Sequence, residues 1–235
     1  MRNKNYLVVG GSTGIGLETV KQLKQAGANV WVAARHLSDE LNNLGVTFQA
    51  IDATQAFVLQ NMPTELHGVV YCPGSINLKP FNRLTEQDFM NDIQINVMGA
   101  VRTLQQTFTA LKNAKGSSVV LYSTVAVRMG MGFHASVAVA KSAVEGLTKS
   151  LAAEWASSQI RVNAIAPSLT NTPLAGQLLS SPEKREAAAK RHPLGRVGET
   201  SDIAGTSLFL LSDAASWISG QILSVDGGMS SIKLL

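Results

Sequence analysis

Val8-Val9-Gly10-Gly11-Ser12-Thr13-Gly14-Ile15-Gly16 decides the fold. The apolar run from Tyr6 to Val9 reads as a buried strand, and Leu17, Val20 and Leu23 follow the glycines at helical spacing. Gly10 lets the chain turn sharply off the strand. Gly14 has no Cβ to hold a pyrophosphate away from the backbone, and Gly16 allows close packing of the helix. The free N–H groups of that helix then face the phosphates, where the helix dipole also favours negative charge. Glycine-rich turns are common, so the weight lies in the placement of this one between a strand and a helix. It reads as a dinucleotide-binding turn.

Short apolar runs recur along the chain at 6–9, 29–34, 46–51, 67–72, 117–123, 160–166 and 221–225. Helical patterns alternate with them at 15–26, 85–112, 135–157, 183–191 and 200–212. Such alternation predicts βαβ units and a doubly wound parallel sheet, covered by helices on both faces. The stretch from Ala53 to Leu66 has room for a short helix at most. No internal repeat or linker interrupts the 235 residues, so residues 1–235 are expected to form a single Rossmann-type α/β domain. A chain this long buries roughly 70–75% of its unfolded surface without needing staples.

Composition narrows the function. The formal charge of +4 is mild and no dense Lys/Arg cluster occurs, so no nucleic-acid partner is implied. No apolar run reaches membrane-spanning length and the N-terminus lacks a signal-peptide core, so no membrane partner is expected. The single cysteine, Cys72, excludes an internal disulfide and fits a reducing, cytoplasmic setting. It lies in an apolar run, where a buried, inert thiol is expected. No metal site is implied.

The second run closes as Ala33-Ala34-Arg35. Dinucleotide sites often carry an acidic residue here to hold the adenosine ribose. A guanidinium suits a 2′-phosphate instead, which favours NADP(H) over NAD(H), unless Arg35 is only a solvated loop residue. Asp52, after the third run, either accepts from the adenine amino group or caps the next turn.

With these residues assembled, the chain resembles the short-chain dehydrogenase/reductase family over nearly its whole length. Further segments carry the likeness: Ile93-Gln94-Ile95-Asn96-Val97, Ile160-Arg161-Val162-Asn163-Ala164-Ile165-Ala166-Pro167, Pro193-Leu194-Gly195-Arg196, and Ser219-Gly220-Gln221 through Val225-Asp226-Gly227-Gly228. The resemblance implies about seven strands with the cofactor across their carboxyl edge. It implies a small-molecule substrate and a homo-oligomer, a dimer or homotetramer, built on the helices at 85–112 and 135–157. It also implies catalytic roles for Asn96, Thr124 and Lys141, with Ser123 replacing Thr124 if the register slips by one. The implied cofactor contacts come from Gly10, Ser12, Thr13, Gly14, Ile15, Gly16, Arg35, Asp52, Ala53, Gly74, Lys141, Pro167 and Thr172.

In that resemblance the tyrosine that gives or takes the substrate proton falls on Val137, with the spacing to Lys141 and Thr124 kept. Valine has no proton to give, and a general acid is worth roughly 10²–10⁴ in rate. The remaining proton sources are His134, Tyr122 or an acidic group on the substrate. The family's Asn-Asn-Ala-Gly is replaced by Tyr71-Cys72-Pro73-Gly74, and its glycine after Pro167 by Ser168. Met129, Met131 and Phe133 are expected to line an apolar pocket, or to fill core or a subunit contact. Residues 168–192 are expected to form a lid. Two readings follow: an NADP(H)-dependent oxidoreductase acting on a carbonyl, alcohol or enoyl compound with an atypical proton donor, or an NADP(H)-binding sensor or scaffold that has lost the general acid.

Overall fold

The computed structural model describes residues 1–233. Its strands are β1 (Asn5–Val9), β2 (Asn29–Ala34), β3 (Thr47–Ala50), β4 (Gly68–Tyr71), β5 (Ser118–Tyr122), β6 (Arg161–Pro167) and β7 (Ile222–Val225). All pair in parallel, in the order β3-β2-β1-β4-β5-β6-β7. The order reverses between β1 and β4, so the crevice at their carboxyl ends is the place where such a sheet binds ligands. Each strand coincides with one of the seven apolar runs to within about two residues.

The helices are α1 (Gly14–Gln25), α2 (Asp39–Asn43), α3 (Glu86–Ile93), α4 (Gly99–Asn113), α5 (Ala126–Met129), α6 (Ala135–Trp155), α7 (Pro182–Ala189) and α8 (Thr200–Leu211). One apolar cluster, with Val20, Leu23, Val32, Ile203 and Leu210, joins α1 and α8 to one face of the sheet. The other, with Leu7, Val69, Leu104, Val144 and Trp155, joins α4 and α6 to the opposite face. Side chains alternate along each strand, so a strand apolar throughout feeds both clusters. Among the described residues no helix is long and apolar enough to cross a membrane.

The sequence predicts one helix over 85–112, and the chain is helical there but not uniform. A π turn, Gln94–Met98, separates α3 from α4. Tyr71, at the end of β4, donates its hydroxyl to the Ile95 carbonyl inside that turn at 2.6 Å. Its ring leaves no space beside Gly99, where a Cβ would overlap the Tyr71 hydroxyl and lie 2.8 Å from the Ala53 carbonyl oxygen. Gly99→Ala is therefore expected to cost about 1–3 kcal/mol by overpacking, read from the urea midpoint at unchanged m-value. Unaltered stability would contradict this packing.

Two of the segments quoted for the resemblance act as clasps. The buried Asn163 amide donates to the Ile218 carbonyl at 2.9 Å and accepts from the Gln221 amide at 3.0 Å, which docks the segment entering β7. Arg196 grips Asp202 through both terminal nitrogens, at 2.6 and 2.9 Å, at the start of α8. The short α2 and α5 had no periodic signal; each is about one turn long, and α2 starts at a cap in which Ser38 Oγ accepts from the Leu41 amide at 3.2 Å.

Candidate active site

A cavity of about 720 Å³ opens at the carboxyl edge of the sheet, at the reversal of strand order. It is lined by Gly10, Ser12, Thr13, Gly14, Ile15, Gly16, Arg35, Asp52, Ala53, Gly74, Lys141, Pro167 and Thr172. Every residue assigned to cofactor contact from the sequence is thus in one place. The Thr13 side chain does not cap α1, so the first-turn amides of that helix stay available to a ligand in the cavity. A Cβ on Gly16 would overlap the Gly10 carbonyl oxygen, so the turn closes tightly on itself. Gly14 holds φ +56°, in the left-handed region.

Arg35 and Asp52, which follow β2 and β3, border one end of the cavity. The Asp52 carboxylate accepts from the Thr54 amide at 2.9 Å and the Thr54 hydroxyl at 2.8 Å. Those bonds, the backbone one first, hold its carboxyl below the usual range. One oxygen therefore caps the turn, as one of the two sequence readings had it.

At the other end stand Thr124, Val137 and Lys141. Val137 lies one helical turn before Lys141 on α6 and is 6% exposed. Lys141 is buried and donates from Nζ to the Tyr122 carbonyl at 2.8 Å. Burial lowers its pKa to about 8, opposed by the electrostatic effects of Cys72 and Asp92. Asn96, 1% exposed, comes from the π turn. Its Nδ2 donates to Ser75 Oγ at 2.9 Å and to the Asp92 carbonyl at 2.8 Å, which leaves Oδ1 buried with no partner. That oxygen and Lys141 Nζ lie 3.2 and 3.4 Å from the point a Cβ on Gly74 would occupy. A buried acceptor and a buried ammonium facing one small gap make a place for a hydroxyl or a water.

Several sequence alternatives are resolved by this geometry. Ser123 and Thr124 both line the cavity, and Ser123 Oγ donates to Glu145 Oε1 at 2.7 Å, so its proton is engaged there. The Tyr122 phenol bonds Ser207 on α8 at 2.6 Å, on the far side of the sheet, and burial drives its pKa well up. It belongs to the core and is corrected as a proton source. His134 lines the cavity and uses Nδ1 on the Gly132 carbonyl at 2.6 Å, leaving Nε2 open. The Cys72 thiol is pushed up to about 12 by desolvation, as an inert thiol should be. Met131 lines the cavity. Met129 and Phe133, in contrast, are 41% and 62% exposed and are not among its lining residues, which corrects the pocket and core readings for these two; Gly130 and Phe133 both hold positive φ.

Three residues escaped the sequence reading. His192 is 3% exposed, with Nδ1 2.8 Å from the Ala188 carbonyl and Nε2 2.9 Å from Ser168 Oγ. Ser75 lines the cavity and donates to Asp92 Oδ1 at 2.5 Å, and Asp92 is 2% exposed. The available signal for Asp92 was a carboxylate four residues before Asn96 on the same helical face.

A seven-stranded parallel sheet with a glycine turn opening into its carboxyl-edge cavity defines a Rossmann-type nucleotide-binding protein. The family model described as Enoyl-(Acyl carrier protein) reductase matches residues 9–230. The tropinone reductase homolog At2g29290 of Arabidopsis thaliana is 33% identical over 246 aligned positions, covering 98% of this chain and 94% of the relative. The 3-oxoacyl-[acyl-carrier-protein] reductase FabG of Chlamydia trachomatis is 31% identical, covering 97% of this chain and 98% of the relative. A solved short-chain type dehydrogenase/reductase from Mycobacterium ulcerans superposes with a TM-score of 0.86 at 31% identity, over 98% of this chain and 90% of that one. The chain belongs to the short-chain dehydrogenase/reductase family, whose members are oxidoreductases that bind a nicotinamide cofactor and act on small molecules.

Proposed function

We propose that the protein is an NADP(H)-binding oxidoreductase of the short-chain type that exchanges hydride with a carbonyl, alcohol or enoyl compound, and that Val137 stands where the family carries its proton-transferring tyrosine. The observation that carries the reading is the shared cavity: the open first turn of α1, Arg35, Thr172, Thr124 and Lys141 border one space. When bound, the nicotinamide supplies or accepts the hydride. The chain's own residues do the rest. The amides of Gly14, Ile15 and Gly16 receive the pyrophosphate. Lys141 donates to a ribose hydroxyl, Asn96 Oδ1 orders a water in the gap beside Gly74, and Thr124 Oγ1 holds the substrate oxygen. Residues 168–192 form a lid, supported by their separate small core of Ala175, Leu179 and Ala188. With Tyr122 bound to Ser207, His134, which lines the cavity with Nε2 unengaged, is assigned as the proton donor, an acidic group on the substrate being the other source. The lone cysteine supports a reducing compartment such as the cytoplasm, and a homo-oligomer, dimer or tetramer, built on the helices at 85–112 (α3 and α4) and 135–157 (α6) is part of this reading.

Arg35 is assigned to the adenosine 2′-phosphate. Arg35→Ala is expected to weaken NADPH about tenfold and to leave NADH within about twofold, by calorimetric titration. Equal loss for both cofactors would remove the NADP(H) preference from the account.

The function is tested by following NADPH oxidation against ketones, aldehydes and enoyl thioesters. Turnover that disappears in His134→Ala supports an oxidoreductase with a histidine donor. Bound cofactor with no turnover on any of them favours the second reading, an NADP(H)-responsive sensor or scaffold, for which Val137 is the specific observation.

A further inference from the structure

Lys141 is a buried ammonium whose own hydrogen bond goes to a neutral carbonyl. A charge in that position is costly unless an opposite charge compensates it. The groups that act on it are Asp92 from α3, the Cys72 thiol after β4 and the Tyr122 carbonyl of β5; His134 and Arg191 border the same cavity. With its pKa near 12, the Cys72 thiol is neutral at physiological pH. Asp92 is the remaining source of negative charge among them.

Asp92 also begins a chain of polar groups of fixed direction that ends across a small gap from the lysine. The single Ser75 hydroxyl proton goes to Asp92 Oδ1, so Ser75 Oγ accepts from Asn96. Both Asn96 amide protons are then used, on Ser75 and on the Asp92 carbonyl, so Asn96 Oδ1 is turned to the gap it shares with Lys141 Nζ. The second Asp92 oxygen is buried with no partner, which is unfavourable for a group with no electrostatic task. We infer that Asp92 is the internal counter-charge of the site, a positioning residue that acts through Ser75 and Asn96 to keep Lys141 an ammonium and the Asn96 carbonyl aimed at the cavity. Its functional meaning rests on the proposed cofactor site; the charge relation itself does not.

The sign follows from the charges. An adjacent carboxylate favours the ammonium, so removing it lets Lys141 lose its proton at lower pH. The cofactor-free protein, labelled with ¹³Cε-lysine, is titrated by NMR, and the Lys141 signal is assigned by its absence in Lys141→Arg. Asp92→Asn keeps the shape and removes the charge. It is expected to lower the Lys141 midpoint by about one pH unit, a tenfold change in acid constant. Ser75→Ala, which breaks the chain and keeps both charges, is expected to lower it by a smaller amount. It also serves as the test if Asp92→Asn does not fold. An unmoved midpoint in a folded variant overturns the inference. NADPH titration separates this from the cofactor reading. Affinity in Asp92→Asn should fall about fivefold near pH 8 and little at pH 6, whereas a merely structural defect would weaken it equally at both. A shifted lysine midpoint in a protein that never binds NADPH or NADH would keep the inference and discard the cofactor reading.

Discussion

Val137→Tyr is expected to raise the rate of NADPH-dependent carbonyl reduction by about 10²–10⁴-fold, the usual worth of a placed general acid. Val137 is on the cavity side of α6, one turn before Lys141 and in the same space as Thr124. A phenol there would come under the field of the Lys141 ammonium, which lowers its pKa toward the working range. Hydride delivery and protonation could then occur on one bound substrate. The gain should appear in kcat more than in KM, because the phenol acts on the transition state and adds little to substrate binding. It should also fade at high pH, as Lys141, with a pKa near 8, loses its charge. Steady-state assays of both proteins on one ketone panel check this. If the variant binds NADPH normally and gains nothing, residue 137 does not face the reacting carbonyl.

Gly16→Ala should abolish cofactor binding. The added Cβ would overlap the Gly10 carbonyl oxygen and press on the Gly11 backbone. Backbone cannot step aside as a flexible side chain can, so the turn must open and carry the first-turn amides of α1 away from the phosphates. A loss of at least about 100-fold in NADPH affinity, about 2.7 kcal/mol, is expected by calorimetry. The folded state should lose about 1–3 kcal/mol as well. Gly146→Ala is the control: a Cβ there meets nothing within 4 Å, and affinity should not change. Retained binding in Gly16→Ala would show that the amides of this turn are not the phosphate site.

The sheet was legible because a strand buried on both faces must be apolar throughout, and seven such runs separated by helical periodicity leave few alternatives. The glycine turn was legible because close backbone approach restricts residue choice locally. The break within 85–112 was not, because the π turn is stabilised by a bond from Tyr71, 24 residues away. A similar separation in sequence hid the Asp92–Ser75 pair, 17 residues apart. Tyr122 and Ser123 were open alternatives for the same reason: their hydroxyls are committed to Ser207 and Glu145, which only the folded chain brings near. Whether Met129, Met131 and Phe133 face the pocket was not legible, because an apolar side chain in a glycine-rich loop carries no information about its direction.

The central claim is that the amides at the start of α1 hold a phosphorylated dinucleotide in the carboxyl-edge cavity, whether or not a proton is then delivered. Calorimetric titration of the folded protein with NADPH and with NADH, paired with thermal melts at saturation, tests it most directly. The account predicts one saturable site per chain, tighter for NADPH, and a raised Tm with either cofactor at saturation. No heat of binding and an unmoved Tm with both would contradict it.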